Sequence, residues 1–166
     1  NDGWMDFIIP RGGWKYEAGF FPPSLMKNNG DGTFSDVTIE AGLMNYGPSQ
    51  VTEWADIDKD GDLDLFLGHE MEALSYMYRN NGNGTFTDIS KEAGLSFNGY
   101  VKGASWGDYN NDGFPDLYAS NYNKRSRLFK NNGNSTFTDV TEKAGVEANP
   151  SNFPCWWFDY NNDGWE

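Results

Sequence analysis

Short acidic loops recur along the sequence, and their oxygen-bearing side chains have the spacing of a cation-binding loop. Loop B (residues 56–64) has the sequence DIDKDGDLD, and loop C (residues 108–116) has the sequence DYNNDGFPD. Side-chain oxygens fall at positions 1, 3, 5 and 9 of each loop, and glycine stands at position 6, where the chain must turn sharply. Calcium takes roughly six to eight hard oxygen ligands, so this spacing predicts a calcium site in each loop.

The predicted ligands are the residues at positions 1, 3, 5 and 9, together with position 7, which would lend its backbone carbonyl. In loops B and C they are Asp56, Asp58, Asp60, Asp62 and Asp64, and Asp108, Asn110, Asp112, Phe114 and Asp116.

Two other interpretations of these loops fit the sequence less well. An EF-hand would need a bidentate glutamate at position 12, where this chain has Leu67 and Ala119, and it would need flanking helices rather than segments such as the one containing Pro115. Ordinary surface turns rich in Asp, Asn and Gly would not repeat one oxygen spacing. The five carboxylates of loop B would also repel one another strongly unless a cation lay among them.

The loops belong to an internal repeat. Residues 25–43, 76–95 and 128–146 are variants of one segment, typified by LFKNNGNSTFTDVTEKAGV. Trp54, Trp106 and Trp157, two residues ahead of successive acidic loops, are 52 and 51 residues apart. The period is therefore constant along the chain.

Each period is predicted to contain four short strands, with a possible single helical turn around TEKAG. Four strands per repeat of about 50 residues favour an all-β fold, a β-propeller whose blades are four-stranded antiparallel sheets. A stacked β-solenoid is the alternative. A tryptophan before each loop favours blades, because an aromatic ring on the inner strand fills the wedge between neighbouring sheets.

The repeat also predicts how the chain is divided. Residues 1–49 form a blade that lacks its first strand, residues 50–101 and 102–152 form complete blades, and residues 153–166 form a first strand and part of a further loop. Both termini interrupt an acidic loop, so we expect a fragment of a longer chain. The hypothesis of head-to-tail assembly, in which copies complete each other's blades, stays open.

Composition excludes several kinds of partner. The formal charge of -13 disfavours nucleic acid and anionic membrane surfaces, and the sequence has neither a membrane-spanning apolar stretch nor a signal-peptide pattern. Twelve of the 25 acidic residues lie in the acidic loops, so the acidity belongs largely to the predicted calcium sites. Cys155 is the one cysteine, which we interpret as a small buried thiol.

The acidic loops and the NNG-containing segments together resemble the FG-GAP/VCBS repeats of calcium-binding β-propellers, including integrin α-subunit heads. Within that group the chain is most similar to cartilage acidic protein-like repeat proteins. The resemblance implies calcium in the hairpin loop between the first and second strands of each blade. It extends the ligand positions to loop A (residues 2–6) and loop D (residues 159–165), with Asp2, Trp4 and Asp6, and Asp159, Asn161, Asp163 and Trp165.

The resemblance further implies an extracellular, secreted or cell-surface protein. On a propeller, the loops between strands two and three lie on the face opposite the calcium loops. There residues 10–24 offer Trp14, Tyr16, Phe20 and Phe21 for a glycan or protein ligand, although the same segment could simply cover blade edges. His69 and Glu70 lie near that face, and we interpret His69 as an ordinary loop residue.

Three functions therefore remain open from the sequence. The favoured one is a calcium-binding recognition, adhesion or scaffold module. A propeller-fold polysaccharide lyase or hydrolase is the second, although no cluster of catalytic side chains supports it, so an enzyme is not favoured. The third is a structural subunit that assembles into a ring or filament. The patterns Asn83-Gly84-Thr85 and Asn134-Ser135-Thr136 match glycosylation acceptors, which turn-rich sequence also produces by chance.

Overall fold

The computed structural model describes residues 2–12, 20–148 and 151–164. Nearly all its regular structure is β-strand, so the predicted all-β class is confirmed. The helical turn expected around TEKAG is α1 (Thr141–Ala144), which ends at Gly145 in the left-handed conformation. Within the described ranges, no helix is long and apolar enough to cross a membrane.

Thirteen strands are defined in the described residues. They are β1 (Phe7–Ile9), β2 (Ser24–Asn28), β3 (Phe34–Asp36), β4 (Ser49–Ala55), β5 (Asp64–His69), β6 (Ala73–Leu74), β7 (Tyr76–Asn80), β8 (Phe86–Asp88), β9 (Asn98–Gly99), β10 (Val101–Gly107), β11 (Asp116–Asn121), β12 (Arg127–Asn131) and β13 (Phe137–Asp139).

The strands form successive antiparallel sheets. Sheet 1 has the order β1-β2-β3, sheet 2 the order β4-β5-β7-β8, and sheet 3 the order β10-β11-β12-β13. Sheets 2 and 3 are the four-stranded repeats that the sequence predicts, and they repeat one register. Ser49 pairs with His69 in sheet 2, just as Val101 pairs with Asn121 in sheet 3, and each first strand has an irregularity one step further on.

Apolar side chains are buried between the sheets. One cluster joins sheets 2 and 3 and includes Ile57, Phe66, Leu95, Leu117 and Phe129, all at most 2% exposed. A second cluster joins sheets 1 and 2 through Ala41, Leu43, Leu65, Leu67 and Tyr78. Sheet 2 lies between the two clusters, and because a strand alternates between two faces, β5 is buried along its whole length. Loop B is therefore followed by a strand that is packed on both faces.

Two of the tryptophans that precede the loops pack against these clusters. Trp106 contacts the cluster between sheets 2 and 3 and lies 5.9 Å from Phe137 between ring centroids. Trp54 contacts the other cluster and lies edge-on to Phe86, at 6.0 Å. Trp157 lies against Gly107, where an added Cβ would be 2.5 Å from the indole, and Nε1 donates to the Ser105 carbonyl.

One pairing was not predicted from the sequence. Strands β6 and β9 form a two-stranded antiparallel ladder, and the Glu72 backbone N–H donates to the Gly99 carbonyl at 3.0 Å. This ladder joins the link between the second and third strands of sheet 2 to the approach to sheet 3. It lies at the end of the sheets away from the acidic loops.

The last described segment runs along sheet 3 without forming a strand. Backbone N–H groups of Ser151 and Asn152 donate to the carbonyls of Tyr122 and Asn121. Cys155 is half-buried there, and its thiol lies 3.8 Å from the Tyr118 carbonyl oxygen.

Candidate metal centres

Loop B connects the first and second strands of sheet 2 and is curled around its first carboxylate. Asp56 Oδ1 accepts a hydrogen bond from the Asp60 N–H at 3.1 Å, and Oδ2 accepts one from the Gly61 N–H at 3.0 Å. Asp60 Oδ1 in turn accepts from the Asp62 N–H at 2.9 Å. These bonds fold positions 1 to 7 into a compact turn.

Loops C and D repeat the same contacts. In loop C, Asp108 accepts from the N–H groups of Asp112 and Gly113 at 3.0 and 2.6 Å. In loop D, Asp159 accepts from the N–H groups of Asp163 and Gly164 at 3.1 and 2.7 Å. The three loops therefore share one backbone conformation.

Two positions of the turn require a left-handed backbone. Position 6 is glycine in every loop, with φ of 92° at Gly61 and 87° at Gly113, where a side chain would be strained. Position 4 is also left-handed, at Lys59, Asn111 and Asn162. The glycine that the sequence analysis singled out is thus required by the curl.

Position 9 anchors the loop to the sheet. Asp64 is 1% exposed, and its two carboxylate oxygens accept hydrogen bonds from the N–H groups of Ile57 at 3.1 Å and Asn80 at 2.8 Å. Asp116 is equally buried and accepts from Tyr109 at 3.2 Å and Asn131 at 2.7 Å. Each carboxylate therefore fixes where its loop meets the second and third strands.

Three carboxylates of loop B converge. Ligand oxygens of Asp56, Asp58 and Asp64 lie within 4.8 Å of one another. Asp58 Oδ1 is buried and has no hydrogen-bond partner among the described residues. A buried carboxylate oxygen without a donor is costly unless a cation offsets its charge. Carboxylate and carbonyl oxygens are the donors that calcium prefers, so the residues present fit a calcium ion.

The electrostatics of loop B favour a cation as well. Burial raises the pKa of Asp64 to about 6, and the negative charges of Asp58 and Asp60 add to the increase. Both effects disfavour the ionised carboxylate, and a divalent cation among the oxygens would reverse them.

Loop C has the same backbone with fewer negative groups. Position 3 is Asn110, whose Nδ2 is buried without a hydrogen-bond partner among the described residues. Position 5 is Asp112, whose carboxylate lies 3.1 Å from Lys130 Nζ. Burial raises the pKa of Asp116 to about 6, as at Asp64. Loop C therefore offers a cation the same anchor and a weaker negative field.

The partial loops A and D form some of the hydrogen bonds seen in loops B and C. In loop A, the Trp4 N–H donates to Asp2 Oδ1 at 3.0 Å, and Asp6 Oδ1 accepts from the Asn28 N–H at 2.8 Å. In loop D, Asn161 Nδ2 donates to Asp163 Oδ2 at 2.7 Å. Trp165, the remaining predicted ligand, lies outside the described residues.

One supporting residue in each repeat was not predicted from the sequence: the first asparagine of the NNG turn. Its side-chain amide donates to the carbonyl of position 8, and its carbonyl accepts from the turn glycine. The asparagines are Asn28, Asn80 and Asn131. Their signal was the recurrence of NNG at a fixed distance before the fourth strand.

At the end of the sheets away from the acidic loops, the interpretation of His69 as a loop residue is wrong. His69 is not a loop residue: it ends β5, is 1% exposed and packs over Gly47. Glu70 is buried beside it and forms an ion pair with Lys102. Of the aromatic residues predicted for a ligand face, Phe21 is 55% exposed and Phe20 is 36% exposed. Trp14 and Tyr16 lie outside the described residues.

Repeated four-stranded antiparallel sheets with an acidic turn between the first two strands define the class of the protein, which is a β-propeller repeat protein. The chain belongs to the FG-GAP-like repeat family, whose model matches residues 1–67, 70–119 and 108–166. The resemblance inferred from the sequence is thereby confirmed.

Curated relatives agree with this assignment. The chain is 30% identical over 119 residues to cartilage acidic protein 1 of Xenopus tropicalis, which covers 69% of this chain and 18% of the relative. It is 28% identical over 109 residues to the Homo sapiens protein of that name, covering 63% of this chain and 16% of the relative. The chain thus spans less than a fifth of the length of these relatives.

A solved structure is also similar. It comes from a study of the recognition of non-reducing terminal N-acetylglucosamine by an Agrocybe aegerita lectin. The match has a TM-score of 0.41 and 25% sequence identity, and it covers 78% of this chain and 37% of that chain.

Proposed function

We propose that the chain is a calcium-stabilised β-propeller module in which loops B and C each hold one calcium ion. The observation that carries the proposal is the convergence of Asp56, Asp58 and Asp64, with a buried and unpartnered oxygen on Asp58. The ion would bind the loop that joins the first strand to the second, and so hold together strands whose apolar faces form the cores between sheets.

The remaining predicted ligands fit the same proposal. Asp60 and the carbonyl of Asp62 would complete loop B, and loop C would use its equivalent residues. Loops A and D have the same local contacts, and the proposal extends to their described residues. The blade boundaries at residues 49/50, 101/102 and 152/153 are proposed from the sequence repeat, and β4 and β10 each begin one residue before the first two of them.

The biological role proposed is recognition, adhesion or scaffolding outside the cytoplasm. Millimolar extracellular calcium suits modules whose affinities are around 10⁻⁴ to 10⁻³ M. A protein or glycan ligand would bind the face opposite the calcium loops, where exposed Phe21 lies before β2. Because aromatic side chains stack on sugars and anchor protein contacts, that face is better suited to a ligand than the acidic one.

Calorimetric titration with calcium tests the site assignment. We expect the wild-type chain to bind calcium, and Asp58→Ala and Asp108→Ala each to remove or weaken one binding event. Glu40→Gln, a charge change outside the loops, is the matched control and should leave binding unchanged. Absence of any binding heat or calcium retention in equilibrium dialysis of the wild type would overturn the proposal.

A further inference from the structure

Ser135 departs from the repeat at one position of the turn between the third and fourth strands. The equivalent residues of sheets 1 and 2 are Gly32 and Gly84, with φ of 90° and 84°. Ser135 keeps the left-handed backbone, with φ of 60°. This conformation is unfavourable for a residue with a Cβ, so the serine occupies a position whose backbone favours glycine.

The Ser135 hydroxyl is directed at loop B of the neighbouring sheet. Its Oγ lies 3.5 Å from Asp58 Oδ2, 77 residues earlier in the chain. Direct O–H···O bonds are usually about 2.5 to 3.0 Å long, so this contact is long for a hydrogen bond. Two oxygens that share one calcium ion lie about 3 to 4 Å apart, because each is about 2.4 Å from the metal.

Two further contacts hold sheet 3 against loop B. Asn131 is fully buried, and its Nδ2 donates to the Ile57 carbonyl, at position 2 of the loop, at 2.9 Å. Lys59 Nζ, at position 4, lies 4.1 Å from the centroid of the Phe114 ring. Sheet 3 and loop B therefore contact each other at two further points besides Ser135.

Loop B leaves room for an oxygen from outside its nine residues. Position 12, which supplies a bidentate glutamate in an EF-hand, is here Leu67, fully buried in β5. Calcium takes roughly six to eight ligands, and the loop supplies five positions. An oxygen from the neighbouring sheet would raise that number.

We propose that Ser135 contributes its hydroxyl oxygen to the calcium site of loop B, so that one ion binds residues of two neighbouring sheets. The inference rests on the calcium site proposed above and adds a ligand from outside the loop. Calcium would then stabilise the junction between sheets 2 and 3 as well as the hairpin. In sheets 1 and 2, where glycine occupies the position, the turn supplies no such oxygen.

Two substitutions separate the hydroxyl from the backbone. Ser135→Ala removes the hydroxyl and keeps a Cβ in the left-handed conformation, whereas Ser135→Gly removes both. Calcium binding to loop B is measured by calorimetry in an Asp108→Asn background, which weakens loop C. We expect both variants to bind calcium roughly three- to tenfold more weakly, and Ser135→Gly to melt at a higher temperature than Ser135→Ala in chelator.

Gly84→Ser is the matched control. It places a serine at the same turn position of sheet 2, where an added Cβ would meet nothing within 4 Å. It should lower the melting temperature through backbone strain and leave calcium affinity at loop B unchanged. If Ser135→Ala and Ser135→Gly both bind calcium as tightly as the parent, Ser135 is not a ligand, although the calcium site stands. If the parent itself binds no calcium, both proposals are overturned.

Discussion

Sheets 2 and 3 have the same backbone and different charges. In both, the first carboxylate of the acidic loop accepts the same two N–H groups, and position 9 accepts two more. Loop B carries carboxylates at positions 3 and 7, where loop C has Asn110 and Phe114. Repeated backbone contacts therefore set the fold of the loop, whereas the side chains that vary would set the affinity of the proposed cation sites.

Lys130 increases the difference in negative charge between loops B and C. Lys130 Nζ lies 3.1 Å from Asp112 Oδ2 and neutralises part of the charge of loop C. Burial acts to raise the pKa of Asp112, but hydrogen bonds from the Phe114 backbone and from Lys130 outweigh it, and the pKa is lowered. We therefore expect calcium to bind more tightly to loop B than to loop C.

The largest expected effect is at position 9, where the two sheets are alike. Asp64→Ala and Asp116→Ala each leave two backbone N–H groups without an acceptor at a buried site. We expect each variant to lose roughly 3 kcal/mol or more of unfolding free energy, by urea denaturation in chelator. Asp64→Asn, which keeps one carbonyl acceptor, should lose less. Wild-type stability in either alanine variant would contradict the anchoring role.

The second prediction concerns the far end of β5, where His69 of sheet 2 corresponds to Asn121 of sheet 3. Burial lowers the pKa of His69 from 6.5 to about 4, opposed by a hydrogen bond with the Leu74 backbone. The unfolded chain therefore takes up a proton at higher pH than the folded chain does. Stability from the neutral imidazole is complete above pH 6.5 and is lost as the pH falls towards 4.

His69→Asn replaces the imidazole with the side chain that sheet 3 uses. Between pH 6.5 and pH 5, we expect the wild type to lose on the order of 2 kcal/mol more unfolding free energy than the variant. Urea denaturation of both proteins at the two pH values measures the difference, and contributions from other groups cancel. Equal losses would show that His69 does not titrate as its burial requires.

A reciprocal exchange at position 3 tests the charge difference between the loops. Asp58→Asn should weaken calcium binding at loop B about tenfold, because the substitution removes one of the converging charges. Asn110→Asp should strengthen binding at loop C by a similar factor and replace the unpartnered Nδ2 with an oxygen. Calorimetry measures both. Affinities that do not change, or that change in the opposite direction, would contradict the comparison.

The smallest effect is expected from Lys130→Gln. Its ion pair with Asp112 is partly exposed, so we expect calcium affinity at loop C to rise by only about two- to fivefold. Lys27→Gln, at the equivalent position of sheet 1, is the control and should leave loop C unchanged. Because exposed ion pairs are screened by salt, the gain should shrink at high ionic strength. A gain that is independent of salt would point to another cause.

The four-stranded sheets and the loops between their first two strands were predictable because their signals are local. Alternating apolar residues specify a strand, and the oxygens and glycine of loop B lie within nine residues. The packing of the tryptophans before the loops and the single helical turn were also predicted from local sequence. The ladder of β6 and β9 was not, because two-residue strands have no alternation to detect.

Features that depend on long-range contacts could not be predicted from the sequence. His69 is buried because Gly47, 22 residues earlier, leaves space for its ring: a Cβ on that glycine would lie 2.1 Å from the imidazole. Asn131 contacts Ile57 across 74 residues. In the sequence, this asparagine is visible only as part of the recurring NNG. Contacts of this kind depend on how two sheets pack, and no short pattern contains them.

Thermal unfolding with and without calcium tests the central claim most directly. If calcium binds one folded loop with a dissociation constant near 10⁻⁴ M, about 10 mM calcium stabilises the protein by about 2.7 kcal/mol. We then expect the chain to melt roughly 5 to 10 °C lower in chelator, with recovery on adding calcium but not magnesium, whose octahedral geometry suits these loops poorly. A melting curve that chelator leaves unmoved would contradict the assignment of loops B and C as calcium sites.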